Sequence, residues 1–389
     1  MIERVARVAV AQAARWVSRE ITWLVLRNRA VGVAPSGPVM IWGMRALTVR
    51  PHGSPRARVE DVPEPPIEDG PILVETIAVG VCGTDREIVG GGYGTPPDGR
   101  DRLILGHESL GRVLEAPDGS GFETGDLVVG IVRRPDPVPC PHCASGEWDM
   151  CANGRYTERG IARRDGFCSE RYRIEPAYAV KVDRELGDLG VLLEPASVVA
   201  KAWEQVDRAA LRAVWEPRRA LVLGAGPIGL LGALFCAQRG LEVHVVDKIA
   251  GGPRPELVTK LGGVYHDSLE SLPGAFDVAI ECTGVPALFA AAIDKLGPGG
   301  VTCLVGLIPS AGRSDVDLAA INRQIVLSNK LVVGSVSGNR RHFHYALQAL
   351  RAADRGWLGN LITDQVSLDR WQEPFEAGDP NRIKAVIHP

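Results

Sequence analysis

The sequence predicts an α/β protein built from a β-rich part and a parallel-sheet part. Three observations predict it. Residues 44–178 read as short apolar runs broken by Gly and Pro, the pattern of strands and turns. After Pro195 the apolar spacing becomes helical, in "ASVVAKAWEQVDRAALRAVW". From residue 219 onward strand-like and helix-like runs alternate, as in βαβ units whose sheet is covered on both faces.

The totals agree with this class. A chain of 389 residues is long enough for about two domains with proper cores. Its 45 Gly and 28 Pro supply many tight turns. A net charge of −3 gives no basic excess for nucleic acid or an acidic membrane surface. The eight cysteines are unevenly spread and no secretory peptide precedes them. That favours thiols and metal ligands in a reducing cytoplasm over a disulfide framework.

Taken in order, residues 1–43 are an N-terminal extension with six Arg and two acids. They have the spacing of a basic amphipathic helix, and no uncharged run there approaches the ~20 residues of a membrane span. Met44 opens "MRALTVRP", which reads as a first strand. The extension therefore reads as an upstream start of the reading frame rather than a surface anchor. "PILVETIAVGV" (71–81), "SLGRVLEA" (109–116) and "GDLVVGIV" (125–132) are strands, and "VGGGYGTPPDGR" (89–100) is a Gly/Pro loop. "RALVLGAG", "LEVHVVD", "FDVAIECTG", "GVTCLVGL" and "KLVVGSVSG" are the parallel strands. The last ~50 residues return to helix and short strand. The expected boundaries are 44–205 with 339–389 for the β-rich part, and 206–338 for the parallel sheet.

Gly224, Gly226 and Gly229 form G-x-G-x-x-G, with Pro227 and Ile228 inside it, between an apolar strand and a helix. The first glycine permits the turn, the second admits a pyrophosphate, and the third lets helix and strand approach. Asp247 lies 18 residues after Gly229, where a carboxylate accepts bonds from ribose hydroxyls. It repels a 2′-phosphate and so favours NAD over NADP, while Lys248 and Arg254 close behind soften that preference. Cys82 in "GVCGTD", His107 and Glu108 in "LGHESLG" and Glu194 in "LLEPAS" are candidate ligands for a zinc with one open position. Cys140, Cys143 and Cys151 have the C-x₂-C-x₇-C spacing of a metal lobe that lacks a fourth cysteine.

"VCGTD", "GHE", the cysteine lobe and "GAGPIG" stand in the order found in zinc-dependent medium-chain dehydrogenases/reductases, which the chain resembles from Met44 to its C-terminus. "VCGTDREIVGG", "LILGHESLG", "RYTERGIARRDGF", "FDVAIECTG" and "SNKLVVGSV" look most like the glucose 1-dehydrogenase branch. The resemblance implies a GroES-like catalytic domain, a Rossmann domain and a cleft between them. It implies that Cys82 and His107 bind zinc, that Glu108 ligates or exchanges with water, and that Glu194 stands near the metal. Thr84 would begin a proton relay, Glu158 would contact sugar hydroxyls, and Thr283 and Gly284 would line the cofactor side. The lobe matches the last three cysteines of a structural zinc site. The first falls at Pro137, so Asp136 beside it is the expected fourth ligand.

The implied activity is hydride transfer from a sugar or polyol hydroxyl to NAD(P), most simply an aldose 1-dehydrogenase giving a lactone. The alternatives are a simple alcohol or amino-alcohol dehydrogenase of the same family, and a catalytically silent dinucleotide-binding relative. Three departures bear on the substrate. Ser337 replaces an Asn common in the branch, Leu327 stands where some members have His, and Val132 where some have Asn. Fewer polar groups distinguish hydroxyls less sharply. The family also implies a homodimer or homotetramer.

Overall fold

The computed structural model describes residues 43–52, 57–308, 316–376 and 379–389. The N-terminal extension lies outside the described residues, except that Gly43 already belongs to the first strand, Gly43–Val49.

Two sheets organise the chain. The first is largely antiparallel and has seven strands. Its path runs Ala179–Val182, Leu127–Gly130, Glu108–Glu115, Ile72–Val81, Lys384–His388 and Ile362–Ser367, with Arg171–Ile174 paired to Ile72–Val81 off that path. The C-terminal strand thus returns to the centre of the sheet, Ala385 opposite Val81 and Val386 opposite Gly80. The second sheet has six strands, all parallel: Val264–His266, Glu242–Val246, Arg219–Leu223, Phe276–Glu281, Leu296–Leu304 and Leu331–Gly334. Its strands read as nearly continuous apolar runs because helices cover both faces. Val222, Ile280 and Cys303 are fully buried accordingly.

The helix Leu193–Ala210 joins the two sheets. Its buried face, including Val199, Trp203 and Val206, belongs to a core shared with Leu110 and Val129 of the first sheet and Val222 and Val301 of the second. Trp203 is fully buried, and truncating such a side chain costs ~3–5 kcal/mol. This shared core makes the described residues, from Gly43 to Pro389, one compact unit.

The expected strands at 71–81, 109–116 and 125–132 form at Ile72–Val81, Glu108–Glu115 and Leu127–Gly130. The parallel strands form where the alternation placed them. Among the strands that went unmarked are Ala57–Pro63 and Val264–His266, in which charged or polar residues break the apolar pattern. The loop expected from residue 89 starts two residues late, at Gly91. The helix Gly83–Gly90 precedes it, started by Cys82, whose Sγ accepts from Thr84 N at 3.2 Å. Among the described residues no helix is long and apolar enough to cross a membrane.

Candidate active site

A cavity of about 410 Å³ lies where the carboxyl ends of the parallel strands face the first sheet. In open parallel sheets this edge is where ligands bind. Cys82, Thr84, His107, Glu108, Glu158 and Glu194 line it from one side, and Gly226, Pro227, Ile228, Gly229 and Thr283 from the other. Eleven of the residues expected from sequence therefore share one cavity.

Cys82 caps a helix, while His107 and Glu108 enter from the start of strand Glu108–Glu115, 25 residues later. Cys82 Sγ lies 3.1 Å from His107 Nε2. One donor atom each from Cys82, His107 and Glu108 falls within 4.8 Å of the others. A thiolate, an imidazole and a carboxylate so placed fit a three-ligand zinc with a fourth position open. Behind them Asp85, buried, accepts from Cys82 N at 2.9 Å and places Oδ1 3.3 Å from His107 Nδ1. Neither of the latter two atoms completes a hydrogen bond, but a carboxylate behind a ligating imidazole is the usual orienting partner. Burial opposes charge on His107, yet Cys82 and Asp85 outweigh it and hold its pKa well above the ordinary range. Glu194 is outside the three-ligand cluster, and burial, with Glu108 adding like charge, pushes its carboxyl up to about 7.

Sequence reasoning missed Lys384. It is buried, its ammonium pairs with Glu108, and it donates to Val81 O at 3.2 Å. A lysine inside the apolar strand "KAVIH" was the available signal, because a buried cation needs a partner.

The dinucleotide side has the expected cradle. Gly224 has φ +100°, a Cβ on Gly229 would strike Gly224 O, and a Cβ on Gly226 would meet open space. The helix Pro227–Gln238 starts there with its free N–H groups facing the cavity, the arrangement that holds a pyrophosphate. Ser335 Oγ and Ser337 Oγ line the cavity, buried and without a partner, as groups awaiting a ligand are. Glu281, also missed, fixes the Thr283–Gly284 turn: it accepts from Thr283 N at 2.7 Å and Gly284 N at 3.1 Å. Asp247 ends strand Glu242–Val246, its carboxylate accepting from Ala225 N at 2.7 Å and Ile249 N at 3.0 Å. Lys248 is exposed beside it. Arg254 does not serve as a phosphate ligand: it is buried, with its guanidinium spent on the carbonyls of Ala225, Pro380 and Arg382.

Glu158 is no exposed loop acid. It is buried in the cavity wall, and Oε1 accepts from Arg133 Nε and Nη2 at 3.1 and 3.0 Å. Val132 also lines the cavity, but Leu327 does not; it is exposed on the helix Leu318–Leu327.

In the cysteine lobe the sulfurs of Cys140, Cys143 and Cys151 lie within 4.8 Å of one another, which fits a soft metal ion. The expected fourth ligand is corrected. Asp136 is not in this group, because its carboxylate is held by Val138 N (2.8 Å), Asn153 Nδ2 (2.9 Å) and Arg155 Nε (3.0 Å). Sequence proximity could not reveal that 153–155 fold back onto it.

Comparison with known proteins agrees with this geometry. Residues 68–184 match the alcohol dehydrogenase GroES-like domain, and residues 187–388 match the glucose dehydrogenase C-terminus. The chain is 42% identical over 339 residues to a glucose 1-dehydrogenase of Thermoproteus tenax, covering 85% of this chain and 96% of that one. It is 37% identical over 356 residues to one of Methanocella arvoryzae, covering 88% and 99%. The structure of Haloferax mediterranei glucose dehydrogenase in complex with NADP, Zn and gluconolactone is similar at a TM-score of 0.81 and 34% identity, over 89% of this chain and 99% of that one. With a GroES-like sheet, a Rossmann sheet and a cavity between them, the chain belongs to the glucose dehydrogenase branch of the zinc-dependent medium-chain dehydrogenases/reductases.

Proposed function

We propose that this chain is a zinc-dependent NAD(P) dehydrogenase of sugars or polyols, acting on C1 of an aldose to give a lactone. One observation carries the proposal: the Cys82–His107–Glu108 cluster opens into the same cavity as the Gly226 cradle and the Arg133–Glu158 pair. A metal-ligand set, a dinucleotide site and a buried hydroxyl acceptor thus face one space.

Cys82, His107 and Glu108 would hold the zinc, with Glu194 close by. Zinc, when bound, polarises the substrate hydroxyl as a Lewis acid, and the nicotinamide, when bound, accepts the hydride. The chain's own residues do the rest. Asp85 orients His107. Thr84 takes the hydroxyl proton toward solvent. Glu158 accepts from the sugar, and Arg133 holds that carboxylate in place through two hydrogen bonds to Oε1. Gly226 and the helix behind it seat the pyrophosphate, and Thr283 and Gly284 flank the nicotinamide. Asp247 faces the adenosine ribose. A carboxylate there favours NAD, whereas the Haloferax relative was solved with NADP, so both cofactors belong in the test. Cys140, Cys143 and Cys151 would hold a second, structural zinc, with a ligand other than Asp136. The apolar wall of Val132, Ile161 and Val198 supports a second reading, a less hydroxylated alcohol or polyol.

We also propose a homo-oligomer. Among the described residues strand Leu331–Gly334 ends the six-stranded sheet, and Leu318, Val326 and Leu327 on the helix before it are exposed.

The test is absorbance at the reduced-nicotinamide band with a panel of aldoses, polyols and simple alcohols, run with NAD and then NADP. Aldose turnover that Cys82→Ser abolishes supports the proposal. Near-normal turnover in that variant removes the catalytic zinc from it.

A further inference from the structure

Asp149 takes no part in the chemistry above, yet it is a buried acid with partners on both sides of the cavity. It lies in the short turn Trp148–Met150, two residues before Cys151. Its carbonyl accepts from Arg133 Nη1 at 3.0 Å, and its Oδ1 accepts from Asn339 Nδ2 at 2.6 Å. Its Oδ2 lies 3.0 Å from Lys201 Nζ, and both side chains are buried.

Each partner leads to a different wall. Arg133 reaches on to Glu158, in the wall expected to meet the sugar. Lys201 donates to Val336 O at 2.8 Å, in the 335–337 wall on the dinucleotide side. That second wall needs holding. Ser337 has φ +55°, a left-handed backbone that a non-glycine residue adopts only when its surroundings enforce it. A Cβ on Gly338 would press on Ser197, so the next residue is fixed as well. Asn339 then caps the helix Arg340–Ala352.

We infer that Asp149 is a positioning residue that holds the Glu158 wall and the 335–337 wall in register. The inference rests on the proposed function, because it takes one wall as the sugar's and the other as the dinucleotide's. Its physical basis is charge. Lys201 is buried and has Asp149 as its carboxylate partner; without that charge its ammonium is left unpaired, its hold on Val336 O weakens and the strained wall relaxes. Asp149 then shifts and takes Arg133, and with it Glu158, along. The adjacent Cys151 gives the cysteine lobe a purpose in this scheme: the lobe fixes the turn that carries Asp149.

The experiment uses the full chain with NADPH binding followed by fluorescence, and D-glucose turnover at saturating NADP. Asp149→Asn should weaken NADPH binding about tenfold and raise the glucose KM by a similar factor, with kcat changed less. Lys201→Met should reproduce only the NADPH loss, Lys201→Arg should restore part of it, and Glu158→Gln should raise the glucose KM without weakening NADPH binding. The Asp149→Asn, Lys201→Met pair should bind NADPH no worse than Asp149→Asn alone, because both break one link. NADPH and glucose constants within twofold of wild type in a folded Asp149→Asn protein overturn the inference. Should Asp149→Asn fail to fold, unchanged NADPH binding in Lys201→Met overturns it equally. Absence of turnover in the wild type with every aldose and polyol would instead refute the proposed function, while the NADPH arm still reports on the Lys201 link.

Discussion

Lys384→Met isolates the charge buried behind the Cys82–His107–Glu108 cluster. Lys384 is 1% exposed and Glu108 2%, so neither is stabilised by water. Methionine keeps the length of the side chain and removes the ammonium, which leaves the Glu108 carboxylate without its partner. Breaking a buried pair on one side costs ~3–5 kcal/mol. With ~2.1 cal/mol/K per residue over roughly 350 residues, the unfolding entropy is ~0.7 kcal/mol/K, so the metal-free protein should melt about 4–7 °C lower. A cation at the cluster would supply the missing charge. The drop should therefore shrink when zinc is added, and the zinc-induced rise in Tm should be larger in the variant than in the wild type. Scanning fluorimetry with chelator and with zinc measures both. The double variant Lys384→Met, Glu108→Gln should recover much of the loss, since no unpaired charge remains. A metal-free shift below about 1 °C, or a double variant as unstable as the single, would refute the reasoning.

Three further outcomes follow from the geometry. Burial works against the Glu204 carboxylate, but Arg341 and His342 outweigh it and hold its pKa down to about 2. An acid depressed in the fold contributes stability above its unfolded pKa and loses it as pH falls through the folded value. Glu204→Gln should thus cost about 1–2 kcal/mol at pH 7, after discounting for partial exposure, and almost nothing near pH 2; a pH series of melts decides it. Gly226→Ala should fold normally and bind dinucleotide more weakly, whereas Gly229→Ala should destabilise the protein itself, because its Cβ strikes Gly224 O; circular dichroism and NADPH titration separate the two. Zinc analysis should give two ions per chain in the wild type and one in Cys143→Ser, with the remaining ion lost in Cys82→Ser, Cys143→Ser.

What sequence could reveal depended on how far a residue's partner lay along the chain. The G-x-G-x-x-G segment was legible because its physics is local: turn, phosphate approach and helix packing are all settled within Gly224–Gly229. The parallel strands were legible because burial on both faces writes itself as continuous apolar runs. Cys82 and His107 needed only an order of motifs, and the cavity unites them. Lys384 is different. Its partner is 276 positions away, and they meet only because strand Lys384–His388 lies antiparallel to Ile72–Val81, whose Gly80 leaves room for the pair. No periodicity records that register. Asp136 failed for the same reason in reverse: it stood at the right distance in sequence, but Asn153 and Arg155 had already claimed its oxygens. A carboxylate one residue from a vacant ligand position is therefore poor grounds for a ligand unless the chain is known to leave its oxygens free. A charged residue inside an apolar strand is better grounds for a partnered site, because burial without a partner would be costlier than either the fold or the site could bear.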